Sequence, residues 1–433
     1  MDSGDQNRRI TQLLQQVRVL DPVLENEQIA DVLIENNQIR EIAPQISDYP
    51  PHTQIKEAQG LILAPGLVDL YSHSGEPGFE DRETLTSLGN AALAGGFTRV
   101  GILPDTEPPL DTPSDLQWFK TAASPDTPQF YLWGCLTLGG KGESMTELGE
   151  LAQAGIIGFS DGVPLANLGL LRHVLEYVQP LGKPVALSVH DRALSNYGVM
   201  REGKLSLQTG LPGEPACAET SALAAILEVV AFTGTPVHIM RVSTARSVAL
   251  IADAKARGVP VTASTTWMHL LLNTAAMTTY DPNMNLHPPL GDRADQRALI
   301  EGVKSGVIDA IAVDHTPYTY EEKTVAFAEA PPGGIGLELA LPLLWQTFVE
   351  TGEWTALELW NALSASPQRC LQQPPLRCAV GEPTEAILFD PKTTWTVSKN
   401  HLQSLSANTP WFGKQLTGQV VDTFLNDAKQ AKV

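Results

Sequence analysis

In this 433-residue chain, the polar residues able to hold a metal or move a proton fall at the ends of apolar runs. The segment "LILAPGLVDLYSHSGEPG" (61–78) passes from buried-strand composition straight into Asp69, Tyr71 and His73. Residues two apart on a strand point the same way, so these three are expected on one face. Two histidines at that spacing would clamp an ion, but the first place holds a tyrosine. Later runs end in Asp105, Asp161, His190, Arg241 and the pair Asp314-His315. Among these, His73, Asp161, His190 and Asp314 offer the nitrogen and oxygen donors that zinc accepts. His238 lies three residues before Arg241, so on a strand it is expected to face the opposite way.

A repeating frame must bring such residues together. Candidate strands at 61–70, 97–103, 129–135, 156–161, 184–190, 236–242, 259–265 and 308–314 alternate with helical stretches at 84–95, 114–123, 144–154, 168–179, 216–233, 244–257 and 292–304. About eight strand–helix units, with apolar β-branched strands, predict an α/β fold: a (β/α)8 TIM-type barrel whose strands are buried on both faces. No glycine-rich phosphate fingerprint follows the first strand, which argues against a doubly wound open sheet. The strand ends named above then converge on one barrel mouth. Residues 16–60 alternate in short segments, with Asn36-Asn37 as a hairpin turn, and helices near 335–350 and 354–365 lead back to short β segments. A small composite β-sandwich domain built from both termini accounts for this layout. The expected division is 1–60 and 371–433 for the β domain and 61–370 for the barrel.

Composition narrows the rest. Apolar residues make up 43%, enough for a large core, and the net charge of −20 argues against nucleic acid or an anionic membrane as a general partner. Four scattered cysteines without a CxxC pattern are expected to be reduced thiols. No signal-like apolar core opens the sequence and no run reaches eighteen apolar residues, so a cytoplasmic protein is expected.

The stretches "APGLVDLYSHSGEPGFEDRETL", "AALAGGFTRVGILPDTEPPLD", "GFSDGVP", "HIMRVSTARS", "HPPLGDRADQRALIEGVKSGVIDAIAVDHTPY", "PPGGIGLELALP" and "NTPWFGK" carry a resemblance. From about residue 16 onward the chain resembles the bacterial long form of dihydroorotase, in the amidohydrolase superfamily. The first stretch is similar to the family's D-x-H-x-H-x-R-E-P-G, and the fifth to its R-x-N-P-P-L-R and D-H-A-P-H. The resemblance implies hydrolysis of a cyclic amide in pyrimidine biosynthesis, with a metal to acidify water and a carboxylate to move the proton.

Carried over position by position, the resemblance implies His73, Asp161, His190 and Asp314 as metal ligands, with Asp314 also catalytic. Tyr71 and Arg241 stand where the family has ligand histidines. On the substrate side, Pro332 and Gly333 match, whereas Gly75, Asp105, His287 and Tyr318 replace the family's Arg, Asn, Asn and His. A guanidinium beside a metal is unfavourable, so Arg241 is expected to take an ion's place and pair with Asp161 or Asp314. Zinc is therefore expected at one ion per chain at most, or not at all. The implied reading is a degenerate dihydroorotase homologue, inactive or weakly active, serving as a structural or regulatory partner. Aspartate carbamoyltransferase is the candidate partner, and a homo-oligomer is expected. The alternatives are a mononuclear zinc hydrolase of another cyclic amide and a divergent active dihydroorotase.

Overall fold

The computed structural model describes residues 11–122 and 127–425. The outermost residues of the expected β domain, 1–10 and 426–433, and residue 123 of the expected helix 114–123 lie outside that description.

Three strands open the fold: β1 (Thr11–Asp21), β2 (Asn26–Glu35) and β3 (Gln38–Ala43). Asn36 and Asn37 both have φ near +55°, the conformation that a two-residue hairpin turn requires and asparagine tolerates. β4 (Gln54–Glu57) and β5 (Ile62–Pro65) follow, and β16 (Ala386–Thr396) and β17 (Gln415–Phe424) return at the other end of the chain. All seven belong to one sheet, ordered β17-β16-β5-β1-β2-β3 with β4 on β1. Leu14, Val17, Val32, Ile39, Leu63 and Leu388 are buried together in its core.

The barrel lies between these two portions. Its strands are β6 (Leu67–Ser72), β7 (Phe97–Ile102), β8 (Gln129–Gly134), β9 (Gly158–Phe159), β10 (Val185–Ser188), β13 (Val237–Met240), β14 (Val261–Thr266) and β15 (Ala310–Ala312), each parallel to its neighbours. A two-stranded excursion, β11 (Met200–Arg201) with β12 (Gly213–Glu214), leaves the frame between β10 and β13. Helices follow most strands, among them Leu85–Ala94, Cys217–Thr233 and Arg293–Lys304, and several are capped by their own sequence. Thr84 and Asp292 close capping boxes on the first and last of these.

No ladder joins β15 to β6, and side chains complete the ring instead. Asp69 accepts from the Val313 N–H at 2.7 Å, Ser72 Oγ accepts from the His315 N–H at 3.0 Å, and the His73 N–H donates to the His315 carbonyl at 2.9 Å. Asp69 is thus a structural clamp at the seam, and burial pushes its pKa up to about 7 against its hydrogen bonds. The register of β6 against β7 shifts between Asp69 and Ser72. The single shared face expected for Asp69, Tyr71 and His73 is therefore not kept: Asp69 goes to the seam, Tyr71 into the barrel core and His73 to the mouth. The other end of the barrel docks on the β domain through Arg99, whose guanidinium grips the Glu385 carboxylate at 2.6 and 2.8 Å.

All four cysteines are free. Among the described residues no helix is long and apolar enough to cross a membrane.

Candidate active site

The barrel mouth opens into a cavity of about 220 Å³ lined by His73, Gly75, Arg82, Asp105, Arg241, His269, His287, Asp314, Tyr318, Pro332 and Gly333, among others. Strand ends and the loops beyond them supply these groups, as barrel geometry requires.

Four charged groups hold its centre. Arg241 Nε donates to Asp314 Oδ2 at 2.7 Å and Nη2 to Oδ1 at 2.6 Å, a two-pronged pair, while Nη1 donates to the Gly162 carbonyl at 2.9 Å. On the other side His73 Nδ1 meets Asp105 Oδ2 at 2.5 Å. His73 Nε2 lies 3.6 Å from Asp314 Oδ1 and 3.3 Å from Arg241 Nη2. Nη2 therefore contacts both of the atoms that the resemblance implies as ligands after β6 and β15. Both Arg241 and Asp314 have φ of +55°, a left-handed backbone rare for residues with a side chain. That turn brings Arg241 back over the mouth, although strand alternation would have sent it outward.

The electrostatics follow from this arrangement. Burial alone would raise the Asp314 pKa, but Arg241 and His73 outweigh it and hold the carboxyl well below its usual range. A carboxylate so stabilised is a poor proton acceptor near neutral pH. Burial would lower the His73 pKa, yet Asp105 and Asp314 raise it to about 9. The imidazolium donates to Asp105 and faces Asp314. On losing its proton, Nε2 becomes an acceptor for Arg241 Nη2. A histidine pKa raised from 6.5 adds stability that is complete below about 6.5 and lost as pH rises through about 9. Unfolding free energy should fall over that window by one proton's share, about 1.4 kcal/mol per pH unit. Denaturant titrations of the wild type and His73→Gln across pH 6–10 check this: the difference between the two profiles should carry that slope.

Tyr71 is fully buried beneath the mouth. Its oxygen accepts from the Arg241 N–H at 3.0 Å and shares a second hydrogen bond with Ser264 Oγ at 2.8 Å. Ser264 in turn reaches His238 Nε2 at 2.8 Å, and His238 Nδ1 meets Thr262 at 2.9 Å. Burial first, and then Asp314, drive the Tyr71 pKa far above that of a free phenol, so the hydroxyl stays neutral. The expected opposition of His238 and Arg241 also needs correction. His238 joins the chain of hydrogen bonds under Tyr71, and the turn at Arg241 lays that residue above it.

The remaining expected ligands are placed elsewhere. Asp161 accepts from the N–H groups of Leu136 and Thr137 at 2.8 and 3.0 Å and from the Thr137 hydroxyl at 2.7 Å, so both carboxylate oxygens are used within a loop. Arg241 thus pairs with Asp314 and not with Asp161. His190 sits to one side, with Nε2 3.6 Å from Glu214 Oε2 and its ring 4.5 Å from that of His287. His190, Glu214 and His287 form a group whose potential ligand atoms all lie within 4.8 Å of one another. Burial pushes the Glu214 pKa up to about 7, against the pull of Arg201.

The substrate-side positions are equally particular. A Cβ on Gly75 would lie 2.3 Å from the Glu83 carbonyl and 2.6 Å from that of Phe79, so no longer side chain fits there unless the loop moves. Asp105, which replaces the family's Asn, spends its charge on His73. Pro332 has no N–H, and the Gly333 N–H donates to the Asn285 carbonyl at 2.8 Å. Arg82, which spacing alone did not single out, reaches the cavity, but it is held by Glu322 and lies against Phe79 and Tyr318. Ser264 and Glu214 were also missed. Neither stands in a motif, and only the folded barrel brings them to Tyr71 and His190.

Comparison with known proteins decides the family. The dihydro-orotase-like family model matches residues 60–247. A probable dihydroorotase-like protein of Synechocystis sp. is 46% identical, over 95% of this chain and 99% of its own length. The chain belongs to the dihydroorotase-like family. Within that family, a dihydroorotase of Syntrophus aciditrophicus is 38% identical over 95% of this chain and 97% of its own. Among solved structures, the L-hydantoinase of Arthrobacter aurescens superposes with a TM-score of 0.83 at 21% identity, covering 96% of this chain and 95% of that one. The D-hydantoinase of Thermus sp. gives 0.81 at 22%, over 96% and 94%. Both share the fold of this dihydroorotase-like chain.

A metal centre of the kind the resemblance implies does not fit these mouth residues. Arg241 and the imidazolium of His73 already balance Asp105 and Asp314, so a divalent ion would enter with two uncompensated charges. Tyr71 is a committed neutral hydrogen-bonding group and Asp161 is used in its loop.

Proposed function

We propose that this chain is a dihydroorotase homologue whose mouth is closed by an internal ion-pair cluster, and that it does not open dihydroorotate. Its role in pyrimidine biosynthesis is then structural or regulatory, in the cytoplasm, as a homo-oligomer beside aspartate carbamoyltransferase. The observation that carries this reading is the two-pronged Arg241–Asp314 pair, with Nη2 in contact with both Asp314 and His73. It ties down the carboxylate that would move a proton. The anionic substrate also lacks an open cation: Gly75 supplies none, and Arg82 and Arg241 are both engaged by carboxylates.

The test is a dihydroorotase assay on the purified chain with zinc added, run with and without aspartate carbamoyltransferase. No turnover above background is expected in either arm, together with co-migration of the two proteins on gel filtration. Robust turnover by the isolated chain would overturn the reading. Turnover only in the complex would move the missing groups to the partner.

A second reading, a mononuclear zinc hydrolase acting on another cyclic amide, is favoured by one observation. His287, a member of the His190–Glu214–His287 group, lines the cavity. Turnover of an uncharged cyclic amide that is lost in Glu214→Gln would support it over the first.

A further inference from the structure

We infer that His190, Glu214 and His287 form a divalent-metal site, suited to zinc, beside the mouth and separate from the Arg241–Asp314 cluster. Two imidazoles and one carboxylate are a donor set that zinc takes in four-coordinate sites. With zinc–ligand bonds of about 2.1 Å, tetrahedral ligands stand roughly 3.4 Å apart. His190 Nε2 and Glu214 Oε2 are already 3.6 Å apart, too far for a hydrogen bond and close to that edge. The widest separation in the group is within 4.8 Å, and binding would draw the half-buried His287 toward the other two.

A second, independent observation points the same way. His190 is only 7% exposed, and its Nδ1 is fully buried without a partner. Its Nε2 has no hydrogen bond either, since Glu214 lies beyond reach. Enclosing an imidazole without partners is unfavourable, and buried polar groups are generally satisfied. An ion bound at Nε2, beside Glu214, supplies that nitrogen with a partner and holds the ring in place, while Nδ1 on the far side carries the ring proton.

The guanidinium nearby does not block this site as Arg241 blocks the mouth. Arg201 Nη1 contacts Glu214 Oε1 at 3.3 Å, and its Nη2 is spent on Ser243 at 2.7 Å and the Pro289 carbonyl at 3.3 Å. Oε2 stays toward the imidazole, with the Ser195 hydroxyl donating to it at 3.1 Å. An ion there would tie the end of β10, the β12 excursion and the 285–290 loop together. Access runs through the cavity, which His287 lines.

The full chain, stripped with a chelator, is titrated with cobalt(II) and then with zinc as competitor. One equivalent of cobalt is expected, with the visible absorption of a four-coordinate ion and displacement by zinc. His287→Asn, at a half-buried position, and Glu214→Gln should each weaken binding at least about tenfold. His73→Asn should leave it unchanged. No uptake by the intact chain, or one ion whose affinity ignores both His287→Asn and Glu214→Gln, would overturn the site and the hydrolase reading that uses it, without touching the ion-pair reading of the mouth. Uptake lost in His73→Asn but kept in His287→Asn would put the ion at the mouth and overturn both.

Discussion

Replacing Arg241 with methionine is expected to destabilise the fold by about 3–5 kcal/mol near neutral pH. The two side chains of the Arg241–Asp314 pair are 6% and 15% exposed, so removing one leaves a nearly dry carboxylate with only His73 at 3.6 Å. Asp314 also fixes the sign of the pH dependence. Its folded pKa is depressed by Arg241 against the cost of burial, so its stabilisation is present above the ordinary carboxylate value of 3.8 and lost as pH falls. The gap between wild type and Arg241→Met should therefore narrow below about pH 4. Arg241→Lys keeps the charge and loses the fork, and should fall between them. Urea unfolding at neutral and acid pH measures all three. Equal stability of Arg241→Met and wild type would mean that the guanidinium does not lie over the mouth.

The second large effect is a gain. The double variant Tyr71→His, Arg241→His should bind zinc at the mouth at least about tenfold more tightly than the parent. Removing the guanidinium frees His73 Nε2 and Asp314 Oδ1, already 3.6 Å apart, and the new imidazoles add donors above and below them. Both proteins should carry His287→Asn, so that the neighbouring group does not contribute to the signal. Competition titration with a chromophoric chelator reads the difference. Dihydroorotate turnover is not expected to return with the metal. Gly75 packs against the carbonyls of Glu83 and Phe79, and the cation that would anchor the substrate carboxylate cannot simply be reinstated there.

The frame of the molecule was legible because its signals are local. Asn36-Asn37 marks a turn that only left-handed residues close, and the apolar runs after 97 become barrel strands within a few residues of the expected bounds, whereas the run 61–70 splits, Ile62–Pro65 joining the β-domain sheet and Leu67–Ser72 opening the barrel. The pairing of Arg241 with a mouth carboxylate was also readable, since a fixed cation at a ligand position has few other stable arrangements. What escaped depends on backbone turns and remote partners. Alternation along a strand cannot foresee that Arg241 and Asp314 adopt positive φ, and so it misplaced His238 relative to Arg241. Asp161 carries the type of a ligand, but two unpaired backbone N–H groups of a neighbouring loop claim it. Glu214 lies in an excursion of the chain without periodic pattern, so nothing local marked it as a neighbour of His190.

The most direct test of the ion-pair cluster is anomalous diffraction at the zinc edge from crystals of the wild-type chain grown with zinc. Expected is continuous density for the Arg241 guanidinium on Asp314, with no zinc peak between Asp314 Oδ1 and His73 Nε2. A zinc peak bonded to both of those atoms, with Arg241 displaced from the mouth, would contradict it.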